Sequence, residues 1–343
     1  MTIAFTESDE RIALRKSVAA LGAKYGRDYF EEAARTGKKT TELWSEAGRN
    51  GFLGVAIPEE YGGGGGDIGD LAAVCEELAA AGSPLLLMVV SPAIVGTIIA
   101  QFGSDAQKQA LLPGLAEGTS TFAFSITEPD AGSNSHNIIT TAYREADGWR
   151  LTGTKTYISG VDEASHVLVV ARSEDARTGK LKPALFLVPT DSAGFTYQEI
   201  DMGIVSPEKQ FTLFFDDVLV PSEALIGGEG AGIEQLFAGL NPERIMAASF
   251  ALGTARLALA KASEYAKERT VWKAPIGCSI TPKESPASSS GTSWNTVAPV
   301  ISSPAMIARC TGAAPRQRGR TEKWRLIQPC RGADSNGSRT SPP

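Results

Sequence analysis

Apolar residues recur at helical spacing through the first third of the chain and at strand spacing through the second. Ile12, Leu14, Val18 and Leu21 lay one apolar stripe along Phe5–Tyr25, which predicts a helix there. Further helices are predicted at Thr40–Asn50, Ile68–Ala81, Ala93–Phe102 and Asp105–Ala116. Gly/Pro breaks separate them, notably Ile57–Asp67 with its five consecutive glycines, Gly62–Gly66. From Thr121 the pattern changes to short β-branched and aromatic runs between turn residues. Strands are predicted at Thr121–Ile126, Ile138–Tyr143, Trp149–Ile158, His166–Arg172, Pro183–Val188, Phe195–Ile200 and Gln210–Phe215. Helical spacing returns at Ile233. Asn241-Pro242-Glu243 reads as a helix start, with Asn as cap, Pro in the first helical position and an acid in the first turn, and the helix runs to about Arg269.

This order gives an α+β multi-domain fold: a helical domain (1–119), a central β-barrel or sandwich (120–228) and the start of a C-terminal helical bundle (229–277). Strands and helices do not alternate, so a Rossmann arrangement is excluded. The glycine run is followed by no Gly-Lys-Ser/Thr and preceded by no strand, so it reads as a turn rather than a phosphate loop.

Composition sharpens the boundary at the far end. The chain has 343 residues, a net charge of −6 and 42 % hydrophobic residues. Residues 278–343 hold nine Lys and Arg against three Asp and Glu, with 11 Ser, 8 Pro and three of the four cysteines. Such a segment cannot bury enough apolar surface to offset chain entropy, so disorder is expected there. The acidic balance argues against nucleic acid. No unbroken apolar run reaches the length of a membrane span, and the acidic N-terminus is unlike a signal peptide, so a cytoplasmic location is expected. Four cysteines without a CxxC pair and two histidines leave no metal or disulfide framework to expect.

Several segments in order resemble the acyl-CoA dehydrogenases. Phe124–Asn134 (FSITEPDAGSN) is similar to that family's Thr-Glu-Pro signature. Gly153–Gly160 (GTKTYISG) resembles its Gly-x-Lys strand, and Phe215–Pro221 (FDDVLVP) its Phe-x-x-Val-x-Val-Pro. Asn241-Pro-Glu-Arg244, then Tyr265, Glu268-Arg269 and Trp272–Ile276, continue the match; Ile57–Gly63 and Gly103–Pro113 add to it. The resemblance implies FAD-dependent α,β-dehydrogenation of an acyl-CoA, with Phe124, Ile126 and Thr127 lining the flavin. Tyr157, Ile158 and Ser159 would cover another part of it, and Gly132 and Ser133 would approach its pyrophosphate or the substrate. Arg269 and Trp272 would reach the FAD of a neighbouring subunit, which implies a homo-oligomer. Asn241, Arg244 and Ser133 are the expected acyl-CoA contacts, and an electron-transfer flavoprotein is the implied partner. His136 is expected to be a surface loop residue and His166 a structural one.

The family's usual base is a glutamate beyond the matching part. The tail has only Glu284 and Glu322, neither in a matching context. Read one base out of frame, the codons of Thr281–Pro286 can encode Pro-Gln-Gly-Ile-Ala, so a frameshift after Gly277 is expected, and with it little dehydrogenase activity in this chain. Glu243 stands where some relatives place their base, directly before Arg244. An acid in a first helical turn is also stabilised by about 0.3–1 kcal/mol without any catalytic role, so both readings stay open. So do two other functions: a non-catalytic flavin- or acyl-CoA-binding subunit, and a flavin monooxygenase of the same fold.

Overall fold

Helices come first. The computed structural model describes residues 7–175, 178–229, 232–271 and 274–275. Five α-helices lead: α1 (Asp9–Thr36), α2 (Thr41–Arg49), α3 (Ile68–Ala81), α4 (Thr97–Phe102) and α5 (Asp105–Glu117). Helix α1 extends past the predicted end because Gly26 (φ 69°) bends the chain and a second helical stretch follows. Ser83 Oγ donates to the Gly26 carbonyl at 2.7 Å at this bend. Between α3 and α4, Val89–Gly96 winds as a π-helix around Pro92, fully buried. Asp67 and Asp70 close a capping box on α3, and Ser104 and Gln107 do the same on α5.

The glycine run is a closed turn. The N–H groups of Gly64, Gly65 and Gly66 donate to the carbonyls of Gly54, Ile57 and Val55 at 2.8–2.9 Å. With those donors satisfied inside the protein, none is left to cradle a phosphate. A Cβ on Gly63 would sit 2.0 Å from the Ile57 carbonyl oxygen, so this position requires glycine.

The strands follow: β1 (Phe122–Ser125), β2 (Thr141–Arg144), β3 (Gly148–Ser159), β4 (His166–Glu174), β5 (Leu181–Pro189), β6 (Phe195–Ile200) and β7 (Gln210–Pro221). They form one seven-stranded sheet in the order β1-β4-β2-β3-β7-β6, with β5 on the other edge of β4. Strands β1 and β2 both run parallel to β4, at its start and near its end, and β5 runs antiparallel to it. Strand β4 is buried almost throughout because its alternate residues enter two cores. Val167, Val169 and Ala171 face the sheet's own core with Trp149 and Phe186. Leu168 and Val170 face a second core shared with Ile98, Leu112 and Leu236. A third core, of Val18, Leu43, Leu78 and Met88, lies among the leading helices.

Helix α6 (Gly232–Glu268) follows the sheet, and Thr270–Val271 (β8) pairs with Ala274–Pro275 (β9). The predicted helix start at Asn241 is corrected here: α6 is one 37-residue helix with Pro242 inside it. Packing on both sides of the proline offsets the lost backbone bond. Gly239 lies against Ile94 and Ile98 on one side, and buried Met246 joins the leading helices' core on the other. Further along, Arg256 pairs with Glu76 at 2.7 Å and Glu77 at 2.8 Å. One 18-residue window of α6 is also apolar enough to cross a membrane by length and composition, with 11 % of it buried, although no apolar run is unbroken. Its glycine and arginine seam onto α3 makes it a packing helix of this fold. Residues 278–343 and Trp272 lie outside the described residues.

Helix α6 meets α3 tightly at Gly253, where a Cβ would stand 2.3 Å from the Glu76 carbonyl oxygen. Gly253→Val should therefore cost about 1–3 kcal/mol of stability through overpacking. Urea unfolding checks this, and an unchanged midpoint would mean that α6 is not held against α3 in this register.

Candidate functional site

The signature after β1 is fastened to β3 by charge. The Lys155 ammonium, on β3, donates to Glu128 Oε1 at 2.8 Å and to the Ile126 carbonyl at 3.1 Å. Both side chains are sealed, Lys155 at 0 % and Glu128 at 3 % exposure. The Glu128 carboxylate also accepts the N–H groups of Ile139 (2.6 Å) and Thr140 (2.9 Å). Burial opposes the Glu128 charge, but Lys155 and these amides outweigh it, so its carboxyl sits below the usual range. Burial pushes Lys155 down to about 8, against the pull of Glu128. The pair is thus ionised at neutral pH.

Two backbone features let β3 approach this closely. Gly153 (φ 155°) faces Thr140, whose Oγ1 would be 2.4 Å from a Cβ there. Beyond Lys155 the ladder with β7 slips by one residue before Ile158, a β-bulge. The extra residue brings Tyr157 to φ 57°, a left-handed conformation that costs a non-glycine residue about 1–3 kcal/mol. Its side chain is consequently thrown outward, 61 % exposed.

Around these anchors the expected cofactor residues separate by environment. Phe124, Ile126, Thr127 and Ser159 are half-buried, and Gly132 and Ser133 are exposed. Ser159 and Gln210 are hydrogen-bonded, with Gln210 Nε2 donating at 2.9 Å. Ile158 is the exception: its side chain is 2 % exposed inside the sheet core, so only its backbone can face a ligand. Half-exposed apolar side chains beside a threonine, a serine and an outward tyrosine suit a flavin, which needs an apolar floor and a few donors. A Cβ on Gly132 would meet nothing within 4 Å, so the space before it is open to a ligand.

A cavity of about 520 Å³ between the sheet and α6 brings together Ile126, Ser133 and Arg244. Asn241 Oδ1 accepts from Arg244 Nη1 at 2.7 Å and steadies the guanidinium. Arg172, Lys182 and His136 line the same cavity, His136 from an exposed turn as expected. No sequence signal identified Arg172 and Lys182. They come together because β4 and β5 pair with Arg172 opposite Pro183. Lys182 is also held by Asp175 at 2.6 Å. His166 packs beside Phe122, ring centroids 5.8 Å apart, in keeping with a structural role.

Glu243 is half-buried, and burial raises its pKa against the influence of Arg244. It lies four residues after Gly239 and three before Met246, hence on the face of α6 that packs against the π-helix and α3. Because α6 begins at Gly232, Glu243 is not in a first helical turn, and the macrodipole account of it falls. Arg269, just past the end of α6, is exposed and roughly 37 Å along the axis from Arg244. It cannot share a ligand site with Arg244 in the same chain.

Known proteins match this chain in three consecutive blocks. The family models described as acyl-CoA dehydrogenase N-terminal, middle and C-terminal domains match residues 8–119, 123–218 and 230–279. Acyl-CoA dehydrogenase FadE12 of Mycobacterium tuberculosis is 61 % identical over 273 residues, which are 80 % of this chain and 70 % of that protein. Butyryl-CoA dehydrogenase from Megasphaera elsdenii is 32 % identical at a TM-score of 0.74, covering 80 % of this chain and 73 % of that one. A glutaryl-CoA dehydrogenase in complex with glutaryl-CoA is 31 % identical at a TM-score of 0.76, covering 80 % and 71 %.

The buried pair gives this region a defined acid response. Glu128 has a folded pKa below its unfolded value near 4.5, so its stabilisation is complete above that value and is lost as pH falls through the folded one. In Glu128→Gln, stability at neutral pH should fall by about 3–5 kcal/mol, because Lys155 is left buried without a counter-charge. The variant should also show a shallower loss of stability below about pH 5. Urea midpoints across that range measure both effects, and parallel curves for wild type and variant would contradict the assignment.

Proposed function

The chain belongs to the acyl-CoA dehydrogenase family, FAD-dependent oxidoreductases acting on CH–CH groups, and from that premise we propose how its own residues divide the work. The observation that carries the reading is the cavity between the sheet and α6, where the signature residues Ile126 and Ser133 meet Arg244, with Glu243, whose pKa burial raises, one residue before it. A base poised nearer neutrality than a free carboxylate is what proton removal next to a thioester carbonyl calls for.

In this reading Phe124, Ile126 and Thr127 form one wall of the flavin site and Tyr157 and Ser159 another, with Gly132 and Ser133 toward its pyrophosphate. Bound FAD supplies the acceptor for the hydride that leaves the substrate β-carbon. Glu243 removes the α-proton as that hydride departs, so the electron pair of the C–H bond stays to form the double bond. Arg244, held by Asn241, and Ser133 orient the thioester's CoA portion in the cavity between sheet and α6. Arg172 on the same wall suits its phosphates through its charge, and His136 through a ring N–H. Arg269 contacts the FAD of a neighbouring copy, which its distance from Arg244 favours, and the enzyme works as a homo-oligomer in the cytoplasm. An electron-transfer flavoprotein is the acceptor we assign.

Turnover of this 343-residue chain is expected to be low. Ile245, Leu252 and Leu259 on the outer face of α6 are exposed among the described residues, and a helix packed on one face holds Glu243 less firmly than one packed on both. What turnover there is should depend on Glu243. With added FAD, a panel of acyl-CoAs and an artificial electron acceptor, Glu243→Gln should lower kcat by about 10²–10⁴-fold and leave the flavin absorbance unchanged. Activity within a few-fold of wild type in that variant would place the base elsewhere. Arg244→Ala should raise KM for acyl-CoA, with less effect on kcat, if it binds ground state and transition state alike. A fall in kcat alone would contradict a role in CoA binding.

A further inference from the structure

The signature loop turns two carbonyls inward onto β3. The Ile126 carbonyl accepts from the Lys155 ammonium at 3.1 Å, and the Thr127 carbonyl accepts the Thr156 N–H at 2.9 Å. No cis peptide bond occurs among the described residues, so the Ile126–Thr127 peptide is trans and its N–H points opposite to its C=O. The Thr127 N–H therefore leaves the loop on the side away from Lys155 and the sheet interior. The next amide along, that of Glu128, is already committed to the Ala131 carbonyl at 3.1 Å. One peptide thus has an ammonium against its oxygen and an N–H aimed outward beside the half-buried Phe124 and Ile126.

A cation on a carbonyl draws electron density along the amide and makes the N–H at the other end a stronger donor. Screening by water is absent here, because Lys155 has no exposed surface. Neutralising Glu128 accounts for the lysine's charge. The second bond, to Ile126, uses another of the ammonium's three donors and fixes that carbonyl against the charge.

We propose that Lys155 positions and tunes the flavin, acting through the Ile126–Thr127 peptide to hold and polarise the Thr127 N–H as a donor to the ring. Such a donor stabilises the reduced ring, which carries more negative charge, over the oxidised one. This rests on the placement of the ring against Phe124, Ile126 and Thr127 given above.

The test removes both buried charges together, so that neither is stranded. Lys155→Met with Glu128→Gln is the first variant, and Lys155→Gln with Glu128→Gln the second. In FAD-loaded protein poised against a redox dye, the ratio of reduced to oxidised flavin should fall about tenfold, or about 30 mV for the two-electron couple. In the flavin-free chain, the Thr127 amide proton should move upfield in either variant by NMR. A folded variant that loses flavin binding also supports the proposal. A folded variant with flavin bound, an unchanged ratio and an unmoved Thr127 amide overturns it and leaves the proposed function standing. Wild-type protein gives a check that needs no variant: its Thr127 amide proton should already lie downfield of a random-coil threonine, and a random-coil position overturns the proposal. Failure of the wild-type chain to bind FAD at all would instead remove the functional reading on which this one rests.

Discussion

An ammonium and a carboxylate sealed from water must satisfy each other or cost several kcal/mol apiece, and the site of this protein is organised around such a pair. Glu128 and Lys155 come from different segments, 27 residues apart in sequence. Their bond joins the end of β1 to the middle of β3, and the amides of Ile139 and Thr140 bring in the segment leading to β2. Everything that would face the flavin hangs on these three joints. Phe124, Ile126 and Thr127 precede Glu128 by at most four residues, and Tyr157 and Ser159 follow Lys155 by at most four. A hydrophobic pair of the same volume would be as stable, but it would fix neither the Ile126 carbonyl nor the direction of the Thr127 amide. Hydrogen-bond geometry is what the charges add to packing here.

Rigidity at that joint makes a strained neighbour tolerable. Tyr157 adopts a left-handed backbone inside a bulge, and a strand free to relax would remove that strain by shifting register. Lys155 on one side and buried Ile158 on the other prevent the shift. An aromatic ring is thereby presented outward from a strand whose neighbouring residues are fixed. The sheet supports this from behind, because the two-faced burial of β4 couples its own core to the helix-facing core. Displacing the signature would disturb both at once.

Hydrophobic period made most of the fold legible. The leading helices and seven strands follow from spacing alone, since each element buries one face and the face repeats at 3.6 or at 2 residues. The site was legible in part, through motif residues such as Phe124, Thr127 and Arg244. Arg172 and Lys182 were not, because what brings them to the cavity is strand pairing between segments with no shared local signal. Helix α6 shows the reverse error. Asn241-Pro242-Glu243 satisfies every local rule for a helix start, yet the helix passes through it. Local preference at Pro242 amounts to about 3 kcal/mol. It is outweighed by close packing at Gly239 and Met246, which no window around residue 242 reveals.

That continuity bears on Glu243. In a first helical turn its charge would be stabilised by free N–H groups and its pKa lowered, the opposite of what a base requires. Eleven residues into a helix, those N–H groups are bonded to preceding carbonyls and offer it nothing. Apolar packing then raises the pKa instead, with Arg244 only partly offsetting it. The same helix carries Ile245, Leu252 and Leu259 at seven-residue intervals on its exposed side, alternating with Ala248, Ala255 and Ala262. Large and small residues in that repeat suit helices packed at close range, as in a bundle. The inward face already has its partners in the π-helix and α3. Glu243 and the exposed apolar repeat therefore lie on opposite faces of one helix.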